Sequence, residues 1–340
     1  MIKYKRCKKI RLVAIFIVSL SMMIGCSSQQ KATVSVPEFV FSYADNQSVN
    51  YPTTVGARKF AELVEERTKG RIKILVQAEG VLGDEKQVLE QLQFGGIDFA
   101  RISLSQLSSL ISMYSILQLP YLYRDTKHMW RVLDGEIGDY FLQVAEGSNV
   151  VALSWYDAGA RNFYNSVRPI TKLEDLKGLK IRVQESELMA SILEALGATP
   201  MQIAYDQVYS CLERGVIDGA ENNWASYEST GHSKVAKYYT VDEHTRVPEL
   251  QLCAKATWEK LSPEDQVIIS QCAKESALYE RELWVEKEKE AQKRVLEQGV
   301  LITKLAEEEK ERFKEAVQGI YEQYEGEEMR IIKKIVALGE

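Results

Sequence analysis

The 340-residue sequence predicts an α/β protein with two lobes, because a series of alternating strands and helices occurs twice along the chain. The first series covers residues 39–100 and the second covers residues 150–218. Two short segments also match, since Gly95-Gly96-Ile97-Asp98 and Gly215-Val216-Ile217-Asp218 each follow a helix with spaced leucines. This repetition favours two related lobes over one long sheet.

In the first series, hydrophobic periodicity predicts each element. Residues 38–42 and 71–76 have the pattern of strands, and residues 53–69 carry apolar side chains at helical spacing. Residues 83–95 contain two acids near their start and stop at paired glycines, which is typical of a helix. Residues 97–100 form the next strand. Such alternation implies a parallel sheet covered by helices.

The second series has the same α/β character. Residues 150–155 and 179–183 are predicted strands, because they are mostly apolar and rich in residues that favour strands. Helices follow at about 187–196 and 206–214, and residues 215–218 are the last predicted strand.

The C-terminal third is mostly helical. Residues 250–252 have the pattern of a strand that returns to the first lobe. Ser262-Pro263-Glu264-Asp265 combines a serine N-cap, a proline at the first helical position and acids in the first turn, so a long helix begins there and extends to about Gln298. Residues 307–321 and 325–338 are amphipathic helices, and their charge runs indicate solvated faces.

The N-terminus has the pattern of a lipoprotein signal. The first eleven residues hold six Lys and Arg and no acid, and a mostly apolar run over residues 12–25 follows. It ends in Met23-Ile24-Gly25-Cys26, which resembles a lipobox with methionine in place of the usual leucine. We expect a signal peptide over residues 1–25 and a tether over residues 26–36 that begins with a lipidated Cys26. An uncleaved signal anchor is disfavoured, because a spanning helix needs roughly 20 apolar residues.

Composition narrows the possible partners. The formal charge is −6, and loss of the six basic residues in the signal leaves −12. An acidic protein is a poor candidate for binding nucleic acid or an anionic lipid surface, so an anion site would need local, fixed positive charge. Cys211, Cys253 and Cys272 are expected to be buried free thiols, and no Cys or His spacing predicts a metal site.

Residues 178–223 carry the most specific signal in the chain. They contain Arg182 near the end of an apolar strand, an amphipathic helix, a loop with Pro200, a second helix and the run Asp218-Gly219-Ala220-Glu221-Asn222-Asn223. This segment resembles the extracytoplasmic solute receptors of TRAP transporters, of the dicarboxylate-receptor (DctP) type, and the resemblance extends from Phe39 to the C-terminus. It implies a two-lobed fold like that of periplasmic binding proteins, with a hinge, a long C-terminal helix that spans both lobes, and no cofactor.

The resemblance also implies how the chain divides and where it acts. Lobe I would comprise residues 37–157 and 248–280, and lobe II residues 158–247 and 281–340. The receptor is expected to be a monomer outside the cytoplasm, anchored to the membrane by its lipid. It would deliver a small organic acid to the membrane subunits of a permease.

Arg182 is the main candidate for ligand binding. A strand-end arginine is more often a surface residue, but in an α/β lobe ligands lie beyond the carboxyl ends of the strands. A guanidinium is always charged and matches a carboxylate with two hydrogen bonds. The resemblance assigns Arg182 to the ligand carboxylate and Arg161 to a second contact.

Four further site residues come from the resemblance. Asn222 is expected to donate from its side-chain amide, and Tyr205 to stack on the ligand or donate from its hydroxyl. Glu185 and Ser103 would bind ligand hydroxyls. Packing alone explains Tyr205 equally well, and bracing of Arg182 is the alternative role for Glu185.

Residues near these positions are expected to be structural. Asp218 and Glu221 would cap and brace the backbone, and His232 and His244 lack the spacing of metal ligands. Four aromatic side chains also lie near the motif strands, and one or two of them should line the cleft. These four are Trp155, Tyr156, Trp224 and Tyr227.

The class of ligand follows from residues 223–249, which resemble a subset of the family that takes sugar acids, especially hexuronates. A C4-dicarboxylate and a 2-oxo acid are the alternative ligands. The chain lacks GxSxG, P-loop, GxGxxG and HExxH motifs, and no acid/base pair stands out, so an enzyme is not favoured. A tethered enzyme acting on a sugar acid and a sensory receptor are the alternatives.

Overall fold

The computed structural model describes residues 36–339, in which two mixed β-sheets are flanked by helices. The predicted signal peptide, Cys26 and all but the last residue of the predicted tether lie outside these residues. The predicted α/β class is confirmed. The strands are β1 (Phe39–Ala44), β2 (Ile72–Gln77), β3 (Phe99–Ser103), β4 (Val150–Tyr156), β5 (Ala160–Asn165), β6 (Lys180–Val183), β7 (Thr199–Gln202), β8 (Gly219–Asn222), β9 (Tyr238–Arg246), β10 (Glu249–Ala254) and β11 (Leu301–Lys304).

Helices cover both sheets and include a single long one near the C-terminus. They are α1 (Pro52–Arg67), α2 (Glu85–Phe94), α3 (Leu104–Leu107), α4 (Thr126–Leu133), α5 (Glu136–Gln143), α6 (Glu187–Ala195), α7 (Val208–Glu213), α8 (Trp224–Ser229), α9 (His232–Val235), α10 (Lys255–Trp258), α11 (Pro263–Glu297), α12 (Glu307–Ala316), α13 (Gln318–Tyr321) and α14 (Gly326–Ala337).

Two helix ends show why the sequence signals were reliable. The Asp84 side chain accepts a hydrogen bond from the Gln87 amide at 2.8 Å, and Gly95 ends α2 in a left-handed conformation. The Ser262 hydroxyl accepts from the Asp265 amide at 3.1 Å at the start of α11. The predicted long helix is therefore confirmed over Pro263–Glu297.

The first sheet has the strand order β2-β1-β3-β10-β4. Strand β1 pairs in parallel with β2 and β3, as the alternating pattern predicts. Strand β10 pairs antiparallel with both β3 and β4, so the sheet as a whole is mixed although the three strands of the first series are parallel. Strand β4 is the first strand of the second series in the sequence, yet it lies at the edge of the first sheet. It pairs there with β10, which follows β9 of the second sheet in the chain.

The second sheet has the strand order β11-β9-β5-β8-β6-β7. Strand β5 pairs antiparallel with β8 and β9, whereas β6 pairs in parallel with β7 and β8. The strand predicted over residues 215–218 is wrong. Gly215 is left-handed there (φ 66°), and the Val216 amide donates to the Cys211 carbonyl at 2.9 Å, so these residues end the preceding helix.

The long helix α11 packs on both sheets. Near its start, Ile269, Cys272 and Ala273 lie in a core with Phe60 and Phe99 of the first sheet's side. Near its end, Ala291 and Val295 pack with Tyr164, Trp224 and Tyr239 beside the second sheet. This helix and the two strand connections, 157–159 and 247–248, link the sheets.

The middle of α11 also fastens one of these strand connections. Glu280 is fully buried, and its Oε2 accepts a hydrogen bond from the Asp157 amide at 2.9 Å. Trp284 packs edge-on against Tyr51 with ring centroids 5.6 Å apart. Because Asp157 lies between β4 and β5, the helix is tied to the point where the chain leaves the first sheet.

Two further expectations concern the described residues alone. Cys211, Cys253 and Cys272 are buried free thiols, which confirms the prediction. Within residues 36–339, no helix combines the length and the apolarity that crossing a bilayer requires.

Gly219 provides a test of the second sheet. A Cβ atom at Gly219 would lie 2.3 Å from the Tyr164 carbonyl oxygen and 2.7 Å from Asn165 Cβ, in the neighbouring strand. We expect Gly219→Ala to lower the free energy of unfolding by about 3 kcal/mol through overpacking. Gly319→Ala, where an added Cβ meets nothing within 4 Å, is the control and should be neutral or stabilising. Urea denaturation measures the free energy of unfolding of both variants. Equal values would contradict the close approach of Gly219 to the neighbouring strand.

Candidate functional site

A cavity of about 450 Å³ lies between the two sheets. The first sheet's side contributes the end of β3, the residues after β1 and the start of α2. The second sheet's side contributes β5, β6 and β8, together with the loops that follow β6 and β7. All six residues predicted to bind ligand line this cavity. They are Arg182, Arg161, Asn222, Tyr205, Glu185 and Ser103.

Arg182 is a buried cation without a carboxylate partner. It lies in β6 with 3% of its surface exposed, and its Nε donates to the Ile203 carbonyl at 2.7 Å. Within residues 36–339, no carboxylate is close enough to form an ion pair with it, and its terminal nitrogens have no hydrogen-bond partner. Burial, and then the neighbouring charge of Arg161, lower the pKa of Arg182. An anion placed here would relieve both effects.

Arg161 is paired, in contrast to Arg182. It lies in β5, and its Nε and Nη2 donate to the Glu221 carboxylate, the second of these at 2.8 Å. Nη2 also donates to the Glu221 carbonyl at 2.8 Å. Burial opposes the charge of Glu221, but Arg161 and His244 outweigh it and lower the pKa of Glu221 to about 2. Arg161 is thus fixed in place with its charge largely balanced.

His244 extends this network away from the cavity. Its Nδ1 contacts Asp242 Oδ2 at 2.7 Å, its Nε2 is 3.5 Å from Glu221 Oε2, and its ring stacks on Phe163 with centroids 4.4 Å apart. Burial lowers the pKa of His244, yet Asp242 and Glu221 more than reverse this and raise it to about 9. Glu221 therefore lies between two cations, and it braces Arg161 rather than only the backbone.

The Asn222 side chain uses its oxygen in hydrogen bonds within the protein and leaves its amide nitrogen available to a ligand. Its Oδ1 accepts from Arg161 Nη1 at 3.1 Å and from the Asn223 amide at 2.8 Å. Within the described part of the chain its amide nitrogen has no partner, so it can donate to a ligand, as the sequence predicts.

Direct hydrogen bonds join the two sides of the cavity. Gln184 Nε2 donates to Ser103 Oγ at 3.1 Å, and the Tyr205 hydroxyl donates to Gln47 Oε1 at 3.1 Å. The Tyr51 hydroxyl lies 2.8 Å from Ser226 Oγ. The structure therefore shows a closed arrangement, in which Ser103 and Tyr205 serve as closing contacts as well as cavity walls.

Glu185 differs from the other five predicted residues. It lies in the loop after β6, where it is exposed, and its carboxylate makes no hydrogen bond or ion pair with residues 36–339. It therefore lies on the rim of the cavity and does not brace Arg182.

A buried charged cluster on the first sheet's side was missed by the sequence analysis. Arg101 in β3 donates from Nη2 to Asp45 Oδ1 at 2.7 Å and also contacts Glu85 and Glu249. Arg101 and Ser103 are two residues apart in one strand, so their side chains face the same way. The strand predicted from the sequence ends at Ala100. A prediction three residues longer would have put Arg101 and Ser103 on the same face of one strand.

The expectation about aromatic residues is also wrong. None of the four aromatic candidates lines the cavity, since each is buried in a core instead. Trp224 stacks on Tyr239 with ring centroids 3.7 Å apart, and the Tyr156 hydroxyl lies 3.3 Å from Ser276 Oγ. The cavity wall is polar, which suits a ligand rich in charge and hydroxyl groups.

The fold and the site together define a class of protein. Two α/β lobes enclose a polar cavity lined by two paired arginines, Arg101 and Arg161, and by the unpaired Arg182, which is the arrangement of a receptor for a small anion. No group of His, Cys, Asp or Glu in residues 36–339 is placed to hold a metal ion.

The chain belongs to the DctP family of bacterial extracellular solute-binding proteins, family 7, the solute receptors of TRAP transporters. The family's sequence profile matches residues 43–327. The resemblance seen in the sequence is thereby confirmed. Members of this family and the structural relatives are solute-binding receptors and not enzymes, and they act outside the cytoplasm.

Individual relatives support the same placement. A solute-binding protein from Chromohalobacter salexigens is 37% identical over 275 residues, which is 81% of each chain. A TRAP periplasmic solute-binding protein from Bradyrhizobium, solved with D-galacturonate, is 38% identical with a TM-score of 0.85 and covers 87% of this chain and 99% of its own. Another from Chromohalobacter salexigens, solved with D-glucuronate, is 34% identical with a TM-score of 0.85, over 88% of this chain and 99% of its own.

The charge on His244 makes stability depend on pH. The imidazole is protonated in both the folded and the unfolded chain below pH 6.5, so its stabilisation is complete there and is lost as the pH rises through about 9. We expect His244→Gln to cost up to about 3 kcal/mol at pH 6 and much less at pH 10. Urea denaturation of both proteins at pH 6, 8 and 10 measures the difference. A difference that stays constant with pH would show that folding does not raise the pKa of His244.

Proposed function

We propose that this receptor binds a hexuronate, such as D-galacturonate or D-glucuronate. The observation that carries the proposal is Arg182, a buried guanidinium that lacks an anionic partner in the described chain and lies beside Arg161 in a polar cavity. A buried unpaired charge is costly, and a ligand carboxylate offsets that cost with charge-assisted hydrogen bonds. The relatives solved with galacturonate and glucuronate supply the chemical class of the ligand.

The six residues predicted from the sequence divide into three roles in this proposal. Arg182 takes the carboxylate, Arg161 makes a second contact, and Asn222 donates from its amide nitrogen. Ser103 and Tyr205 contact hydroxyl groups while they hold the two sides together. Glu185 meets the ligand only at the rim.

The opposite wall favours a ligand with a single carboxylate. Asp45, Glu85 and Glu249 surround Arg101 there, so acids outnumber bases. A second carboxylate at that end would meet like charge, whereas hydroxyl groups would find acceptors. This balance favours a sugar acid over a C4-dicarboxylate.

Delivery and anchoring complete the proposal. The ligand-bound receptor would dock as a monomer on the membrane subunits of a TRAP permease and release the acid there. Cys26 would carry the lipid that holds the receptor outside the cytoplasmic membrane. Lobes over residues 37–157 with 248–280, and over 158–247 with 281–340, would close on the ligand by rotation at the strand connections.

A panel of acids tests the choice of ligand. Thermal shifts with D-galacturonate, D-glucuronate, malate and succinate at one concentration should show stabilisation by at least one uronate. A ligand at 100 times its dissociation constant adds about 2.7 kcal/mol to the folded state. Stabilisation by malate or succinate, with none from either uronate, would return the site to a dicarboxylate receptor.

The role of Arg182 is tested by Arg182→Lys. Lysine keeps the charge but cannot make two parallel bonds to a carboxylate, so we expect binding to weaken by about 2–5 kcal/mol while the protein stays folded. Arg214→Lys is the matched control, because Arg214 is exposed and lies outside the cavity. Calorimetry with D-galacturonate measures both, and wild-type affinity in a folded Arg182→Lys protein would refute the assignment.

The anchor is tested by Cys26→Ser in cells. Without the thiol, the protein should be released from the membrane or left unprocessed. Mass spectrometry of the wild-type N-terminus should show diacylglycerol on Cys26, and cleavage elsewhere without lipid would reject the anchor.

A further inference from the structure

Glu249 is a buried carboxylate on the wall of the cavity to which the sequence analysis gave no role. It opens β10, where its register partners are Ser103 of β3 and Tyr156 of β4. Only 8% of its surface is exposed, yet it lines the cavity. Within residues 36–339 its Oε2 has no hydrogen-bond partner, since Arg101 Nε lies 3.3 Å away but outside hydrogen-bonding geometry. Oε2 itself is enclosed beside Arg101, but the carboxyl group as a whole forms part of the cavity wall and accepts no hydrogen bond there.

The charges around Glu249 do not balance. Asp45, Glu85 and Glu249 all contact one guanidinium, that of Arg101. The other nearby arginine, Arg161, is already paired with Glu221. If all three carboxylates around Arg101 were ionised, two negative charges would remain uncompensated in a buried wall. When carboxylates share a site in this way, the pKa of one of them is raised, so it keeps a proton to a higher pH than a free carboxyl group does.

Hydrogen bonds decide which carboxyl group holds that proton. Asp45 accepts from the Thr53 hydroxyl at 2.9 Å, the Thr54 hydroxyl at 3.0 Å and the Gln47 amide at 3.0 Å, so its carboxylate oxygens are well supplied with donors.

Glu85 and Glu249 also differ in the hydrogen bonds that they accept. Glu85 accepts from the Ser103 hydroxyl at 2.9 Å and also from Arg101, whereas Glu249 accepts no hydrogen bond within the described chain. Burial raises the pKa of Glu249 to about 8, with Arg101 opposing the shift and Glu85 and Asp45 adding to it. The proton therefore belongs on Glu249.

We infer that Glu249 captures the ligand as a neutral carboxylic acid and hydrogen-bonds to the sugar acid through its carboxyl group. This inference rests on the proposed function for the identity of the ligand. A neutral carboxyl group both donates and accepts, so it can bind a hydroxyl group or the ligand carboxylate itself. An ionised Glu249 would instead repel the anion held by Arg182 and Arg161.

The inference fixes the sign of a pH effect. Groups facing Glu249 come from several elements: Asp45 after β1, Tyr51 before α1, Glu85 of α2, Arg101 of β3, Arg161 of β5 and Glu280 of α11. The ligand is an anion throughout, so its affinity is highest while Glu249 is protonated and falls as Glu249 loses its proton. With a pKa of about 8, affinity should fall about tenfold between pH 7 and pH 9.

Calorimetry with D-galacturonate at pH 7, 8 and 9 tests the effect in wild type, Glu249→Gln and Glu213→Gln. Glu249→Gln keeps a neutral hydrogen-bonding group, so it should bind within about threefold of wild type at pH 7 and lose most of the fall toward pH 9. Glu213 is exposed and lies outside the cavity, so its variant should keep the wild-type profile. His244 also titrates near pH 9, but it contributes equally to all three proteins.

Infrared spectroscopy of the ligand-free proteins tests the protonation directly. At pH 7 the difference spectrum, wild type minus Glu249→Gln, should show the carbonyl stretch of a neutral carboxylic acid, with circular dichroism to confirm folding. Burial also raises the pKa of Glu280 and Glu288, whose bands are present in both proteins and cancel in the difference. Identical pH profiles for wild type and Glu249→Gln, or identical infrared bands, would overturn the inference. If wild type does not bind D-galacturonate at all, the proposed function fails, and the infrared result alone decides whether Glu249 is neutral.

Discussion

The buried ion pair between Arg161 and Glu221 is the interaction on which the cavity depends. Two neighbouring guanidinium groups in a buried site repel each other, and burial penalises both charges. Glu221 removes this conflict for Arg161 only, and His244 keeps Glu221 ionised from its other side. Arg182 is left as the uncompensated charge. The network thus leaves Arg182 as the side chain that requires an anionic partner, while the other charges on the second sheet's wall are balanced.

The sheet topology brings these side chains together from distant parts of the chain. The order β5-β8-β6 places Arg161, Glu221 and Arg182 on three adjacent strands. Antiparallel pairing of β5 with β8 sets Asn162 opposite Asn222, and parallel pairing of β6 with β8 sets Arg182 opposite Ala220. A purely parallel sheet, as the alternating pattern suggests, would not give this register. The mixed pairing is therefore a condition for the site.

Local signals predicted the helices well, because caps and periodicity act over a few residues, whereas the assignment of Arg182 rested on the family resemblance and on its place at a strand end. The strands β5 and β9 were missed, since their polar side chains are satisfied only across the sheet. Asn162 Oδ1, for example, accepts from the amides of Asp242 and Glu243 at 3.1 and 3.0 Å. The Arg101 cluster was missed for a similar reason, because Asp45, Glu85 and Glu249 come from three separate elements. Sequence alone reveals charged residues, but not which of them meet.

Neutral hydrogen bonds join the two sides of the cavity, whereas the buried charge of Arg182 opposes their closure. The direct hydrogen bonds across it, such as those from Gln184 to Ser103 and from Tyr205 to Gln47, join neutral groups. Each contributes only about 1 kcal/mol net, because water replaces such bonds when the lobes separate. Burying Arg182 without an anion costs several kcal/mol in the opposite direction. In the proposed function, the contacts across the cavity do not offset the cost of burying Arg182 alone, and closure becomes favourable once a carboxylate reaches Arg182. The ligand itself then shifts the population toward the closed state.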